Sequence, residues 1–110
     1  MLFKSYLIDL ILQGKKTQTR RRGAQRYKPG HVYRCQRHYY DKTGPRIRIK
    51  RVWQQMLGDM TEEEARAEGF DTKVGFADAW YDINGVYRAS EEVWAYEFEL
   101  VRDLFEQEAV

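Results

Sequence analysis

"EVWAYEFELV", residues 92–101, decides how the rest of the chain is read. Trp94, Tyr96, Phe98 and Leu100 fall on one side, and Ala95, Glu97 and Glu99 on the other. A period of two belongs to an extended chain with one buried face. Working back from it, "RIRIKRVWQQ" (46–55) sets Ile47 and Ile49 against Arg46, Arg48 and Lys50, a second strand whose open face is a basic stripe. "KTQTRR" (16–21) alternates around two threonines and reads as a third strand. "HVYRCQRHYY" (31–40) reads as a fourth, between the turns "KPG" and "DKTGP", and "MLFK" as a short first strand.

Between the strands the period changes to that of helices. Ser5 is placed to cap a helix through "YLIDLILQ" that presents Leu7, Ile8, Ile11 and Leu12 and ends at Gly14. In "TEEEARAEGF" (61–70), Thr61 and Glu64 form a capping box and Gly69 stops the helix. Asp71 is placed to cap a third helix through "KVGFADAWYDI", ending at "NG". Alternating strands with short helices predict an α+β domain, a small β-barrel with helical insertions.

The 110 residues suit one domain, 1–110, with 102–110 expected as a C-terminal tail. A single cysteine, Cys35, excludes an internal disulfide and suits a reducing, cytoplasmic setting. The most apolar early run is too short to span a bilayer and is broken by Asp9, so no membrane partner is expected. The net charge of +2 conceals a division: residues 1–53 hold fifteen cations and two acids, net +13, and residues 54–110 hold four cations and fifteen acids, net −11. That division predicts either a basic face for a polyanion such as nucleic acid or halves that neutralise each other across the fold.

Three motifs invite a chemical reading. "GKKT" (14–17) fails as a phosphate-binding P-loop, because Asp9 stands where a glycine is needed and Lys16 where a hydroxyl is needed. His31 and Cys35 would face one way on a strand and His38 the other, with no evident fourth ligand, so no metal is expected. The same spacing gives no geometry for a Cys35–His nucleophile pair.

"ILQGKKTQTRR" (11–21 and Arg22 after it), then "TEEEARAEGF", then the closing "VWAYEFELV" resemble, in this order, the ASCH domain family. The resemblance implies a PUA-like β-barrel of about five or six mostly antiparallel strands, with two or three short helices flanking a cleft, and a role with RNA. Some small relatives hydrolyse the amide of N4-acetylcytidine, and others are described as ribonucleases. By resemblance to the amidohydrolases, the catalytic lysine, threonine and glutamate are Lys16, Thr19 and Glu68, with Arg21 closing the block; no cofactor is implied. After Glu68 the chain departs from those relatives, with "GFDTKVGFADAWYDING" typical of the broader ASCH group.

The chemistry suits those roles. Thr19 can attack a carbonyl, a desolvated Lys16 can take its proton, Glu68 can pass a proton to the leaving amine, and Arg21 can steady an oxyanion. Residues three apart on a flat strand face opposite ways, so Lys16 must precede the strand proper, or a bulge must intervene, for it to meet Thr19. Lys15, Arg20, Arg22, Arg46, Arg48 and Lys50 are expected to face an RNA backbone, and Tyr27, Tyr39, Tyr40, Trp80 or Tyr81 to stack a base. The expected function is therefore a metal-independent amidohydrolase on an N4-acylated cytidine-type base. The alternatives are a non-catalytic RNA-binding regulatory module and a ribonuclease using Lys16 with a tyrosine. A closed pocket for one base favours the enzyme and an open basic groove the binder.

Overall fold

The computed structural model describes residues 1–101; the expected tail at 102–110 lies outside the described residues. Its elements run α1 (Ser5–Leu12), β1 (Gln18–Arg21), β2 (Val32–Arg34), β3 (Arg46–Met56), a 3-10 turn (Leu57–Asp59), α2 (Glu62–Ala67), α3 (Lys73–Asn84) and β4 (Glu92–Leu100). The strands form one antiparallel sheet in the order β1-β4-β3-β2, curled into a half-barrel. This is the α+β architecture the patterns predict, with four strands among the described residues. Residues 1–4 form no strand and pair only through a parallel bridge, Leu2 to Gln36. The predicted strand at 31–40 shrinks to three residues. Beyond it Asp41 organises a turn, accepting from the Arg37 and Thr43 backbone N–H groups and from the Thr43 hydroxyl.

β4 is an interior strand, hydrogen-bonded to β1 and β3, and both of its faces are covered, at different ends. Tyr96 and Phe98 join Ile47, Ile49, Leu7, Ile8 and Ile11 in one core beneath α1. Val93 points the other way, into a second core with Leu57, Ala65, Phe76 and Trp80 beneath α2 and α3. Ala95, read from the pattern as solvent-facing, is fully buried. The long β3–β4 ladder keeps its inner face across a bulge: Ile49 pairs with Phe98 and Arg51 with Glu97, leaving Lys50 as the extra residue.

The helix ends follow local chemistry. α1 begins after Lys4 with no side-chain cap, so Ser5 is its first residue rather than its cap. α2 carries the predicted capping box, Thr61 accepting from the Glu64 N–H and Glu64 from the Thr61 N–H. α3 is capped by Thr72, not Asp71. The Thr72 hydroxyl accepts from Gly75, which places this glycine in the first turn, where it does not weaken a helix interior.

Candidate functional site

β1 is an edge strand, and what adjoins its free edge builds the site. The chain leaves α1 through Gly14 at φ 76°, and the backbone N–H groups of Lys15 and Lys16 both donate back to the Leu10 carbonyl. Lys16 thus lies in an irregular approach before β1, which frees it from strand alternation. The Thr17 N–H then donates to the Ala67 carbonyl at 2.7 Å, docking the end of α2 against this approach. Gly69 makes the close packing feasible: its φ is 105°, and a Cβ there would stand 2.9 Å from Leu10 Cδ1. The residue before it, Glu68, is thereby aimed at Lys16.

The result is a buried ionic knot. Lys16 Nζ donates to Glu68 Oε1 at 3.0 Å and, at 2.9 Å each, to the backbone carbonyls of Gln18 and Glu68. Glu68 Oε2 accepts from Arg20 at 2.9 Å, and Arg20 also donates to Glu64 Oε2 at 2.8 Å and to the side chains of Gln18 and Gln55. Burial pushes the Lys16 ammonium below its ordinary pKa, against the opposing pull of Glu68. Desolvation works to raise the Glu64 carboxyl, but hydrogen bonds from the Thr61 backbone and Gln55, with the Arg20 charge, hold it below its ordinary value.

Thr19 and Arg21 share the face of β1 that looks toward α1. Arg21 Nε donates to Thr19 Oγ1 at 3.3 Å, and its guanidinium lies 4.5 Å from the Phe3 ring centroid. Burial lowers the Arg21 pKa, and no carboxylate among the described residues pairs with it directly. Lys16, Thr19, Glu68 and Arg21 all line one cleft of about 560 Å³. Phe3 from the N-terminal segment, Leu7 from α1, Phe76 and Trp80 from α3, and the loop carrying Arg37, His38 and Tyr39 form its other walls.

The structure separates the other expected contacts. Arg20 was expected to face RNA; it is instead 4% exposed and committed to carboxylates and amides, because its position on β1 puts it opposite Thr19 and under α2. Arg22 is exposed but bonded to Glu91 at 2.7 Å. Arg48 pairs with Glu99, its direct partner across the ladder, and Arg51 with Glu97. The charge division is therefore partly neutralised across β3 and β4. Lys15 and Lys50 are exposed, and Arg46 is half-buried. Tyr27 is half-buried and packs edge-on against Tyr33 and Tyr96. Trp80 is 5% exposed, packs against Phe76 and lines the cleft; its Nε1 has no partner among the described residues. Tyr39, Tyr40 and Tyr81 are exposed, and of these Tyr39 lines the cleft. Burial raises the Cys35 thiol to about 11, which leaves it unreactive at neutral pH. His31 stacks on Tyr33, while His38 lines the cleft.

A family profile described as the ASCH domain matches residues 1–102. The chain belongs to the ASCH domain family. That family is associated with RNA binding. None of the curated proteins compared with the chain matches it significantly. Among solved structures, the fold resembles the hypothetical protein PH0355, with a TM-score of 0.71 at 18% identity over 92% of this chain and 96% of that one. It also resembles the ASCH protein of Zymomonas mobilis (TM-score 0.66, 14% identity, 93% and 68%). A third likeness is to an ASCH domain from Lactobacillus crispatus (TM-score 0.63, 19% identity, 86% and 70%). At these identities the likeness extends to the ASCH fold alone. No helix among the described residues is long and apolar enough to cross a membrane.

The residues missed by sequence reasoning are the partners of the knot. Glu64 was legible as a capping residue but not as a counterion of Arg20. Phe3, under both Lys16 and Arg21, gave no signal in "MLFK" beyond being apolar.

Proposed function

We propose that this ASCH domain is a metal-independent amidohydrolase acting on an N4-acylated cytidine-type base. The observation that carries the reading is the meeting of Lys16, Thr19, Glu68 and Arg21 at one cleft, since together they supply a nucleophile, a base and an oxyanion donor. The cleft volume of about 560 Å³ falls within the range of roughly 300–1,000 Å³ common for small-ligand sites.

In this reading Thr19 Oγ1 attacks the acyl carbonyl. Arg21 Nε already occupies one lone pair of that oxygen and leaves its proton free for a base. Lys16, inclined by burial toward its neutral form, takes the proton, and the neighbouring Arg21 charge steadies the developing oxyanion. As the C–N bond breaks, Lys16 returns the proton to the departing exocyclic nitrogen. Water then cleaves the Thr19 ester, again with Lys16 as base, releasing the carboxylic acid and restoring the hydroxyl. Glu68 holds cations on both of its oxygens, which suits a positioning residue better than a proton carrier.

The test is chromatographic detection of acid release from a panel of N4-acylated cytidines, with and without chelator. Thr19→Ala is expected to abolish turnover while retaining binding. Lys16→Arg is expected to be nearly as damaging, since guanidinium keeps the charge but cannot serve as a base. Glu68→Gln is expected to slow turnover by roughly 10² to 10⁴ and to move the rising limb of the pH profile to lower pH, because Glu68 raises the Lys16 pKa. Full activity of Thr19→Ala would replace the nucleophile with an activated water.

One observation favours a second reading. Each of the three protons of Lys16 already has an acceptor, as in a locked structural cation. Binding of nucleosides or RNA without hydrolysis of any panel member would make the domain a non-catalytic RNA-binding module.

A further inference from the structure

A second, smaller cavity of about 160 Å³ adjoins the cleft and is lined by Arg21, Arg22, Ala24, Arg26, Tyr27 and Tyr96. Three of these six residues are arginines and none is acidic. Arg21 and Arg22 line both cavities. Arg22 has Glu91 as a partner, but Arg21 and Arg26 form no ion pair among the described residues. Cations without an ion pair among the described residues occur elsewhere too, Lys50 on β3 among them, but here two such guanidinium groups, Arg21 and Arg26, line one cavity beside the cleft. The loop that brings Arg26 back over β1 is held by a hydrogen bond from its backbone N–H to the Tyr96 hydroxyl at 3.2 Å. Tyr27, fixed edge-on between Tyr33 and Tyr96, makes a firm wall.

We infer that this cavity is a phosphate subsite, so that the cleft receives its base as part of a phosphorylated nucleotide or an RNA strand rather than as a bare nucleoside. Guanidinium groups suit the task because they present paired donors to phosphate oxygens and remain charged. An incoming phosphate would give Arg21 the anionic partner that the fold withholds. Thr19 lines only the cleft and Arg21 lines both the cleft and the smaller cavity, so a base seated beside Thr19 has its phosphate side toward the cavity beyond Arg21. The inference rests on the cleft taking the base, but not on any reaction occurring there.

Calorimetric titration at low salt with cytidine, cytidine 5′-monophosphate, cytidine 3′-monophosphate, a short oligocytidylate and inorganic phosphate tests it. At least one phosphorylated ligand should bind about ten-fold or more tightly than cytidine, as a charge-assisted contact implies. Arg26 is exposed, so Arg26→Ala is expected to fold normally; it should remove that advantage and leave cytidine affinity unchanged. Arg26→Lys should restore part of it. Preference for a monophosphate or for the oligonucleotide identifies which source of the phosphate the site takes. Equal binding of cytidine and every phosphorylated ligand, or a uniform loss in Arg26→Ala, would overturn the proposal, as would no binding of phosphate in any form. If acylated cytidines are not hydrolysed yet the phosphate advantage persists, the proposed reaction fails and the subsite stands.

Discussion

Arg20 and Arg48 are both strand arginines, the first between Thr19 and Arg21 and the second between Ile47 and Ile49, and they have opposite fates. Arg20 is enclosed beneath α2, with donors directed at Glu64, Glu68, Gln18 and Gln55. Arg48 lies on the outer face of the half-barrel, 3.4 Å from Glu99, both side chains largely in water. What separates them is what covers the sheet. α2 closes over the edge near β1, while no helix covers the outer face of β3 at Arg48. A buried guanidinium can persist only when it is fully paired, whereas an exposed one tolerates loose geometry.

The strongest way to break this contrast is to remove each arginine. Arg20→Met should cost about 3–5 kcal/mol, because Glu64 and Glu68 would be left near one another without their shared cation. For a domain of this size that lowers Tm by at least about 12 °C. Arg48→Ala should cost no more than about 1 kcal/mol. Thermal denaturation of the two variants side by side measures both; similar losses would mean that the knot is not a buried network.

A smaller loss is expected from Gly69→Ala, which attacks the knot through the backbone. The positive φ opposes a Cβ, while Leu10 Cδ1, 2.9 Å from its place, can turn aside, and a cost of order 1–3 kcal/mol follows from the backbone. The change should also move Glu68 from Lys16, so activity on an acylated cytidine should fall more than stability accounts for. At Gly85, where φ is 78° but no atom lies near a Cβ, the same substitution should affect stability only.

A third test uses pH. The folded pKa of Lys16 lies below its ordinary value of 10.5, so between the two values the unfolded chain binds more protons than the folded one. Stability attributable to Lys16 therefore rises with pH through that window and is flat above it. The difference in unfolding free energy between wild type and Lys16→Met should move in favour of the wild type as pH is raised toward 10.5. A difference that declines would mean that Glu68, not burial, dominates the lysine.

Much of this organisation was legible in the residues. The period of two in 92–101 located β4, and Thr61 with Glu64 located the start of α2, because strand alternation and capping are local properties. The ASCH resemblance brought Lys16, Thr19, Glu68 and Arg21 into view, and the structure explains how Lys16 can share a cleft with Thr19 without facing the same side of a strand. Arg20 was misread because alternation says which side a residue takes, not what covers that side. The strand expected at 31–40 failed for a related reason: Asp41 draws the chain into a turn through three hydrogen bonds that no periodicity records. How far Trp80 is covered was not legible, because an aromatic on a helix has the same sequence signature whether open or packed; it is 5% exposed, against Phe76 and in the cleft wall.

The smallest expected effect separates two cations on the outer face itself. Arg48 already spends its charge on Glu99, while Lys50, extruded at the bulge between Ile49 and Arg51, is exposed and forms no ion pair among the described residues. If single-stranded RNA crosses this face, Lys50 is free to release a counterion at a phosphate and Arg48 is partly compensated in advance. Lys50→Ala should then reduce the steepness of the log–log dependence of affinity on salt by about 0.7, the value of one phosphate contact on a single strand. Arg48→Ala should change it less, and Glu99→Gln should steepen it by freeing Arg48. Identical slopes for all three variants and wild type would remove the β3 stripe from the RNA path and leave the phosphate-binding role to the arginines beside the cleft.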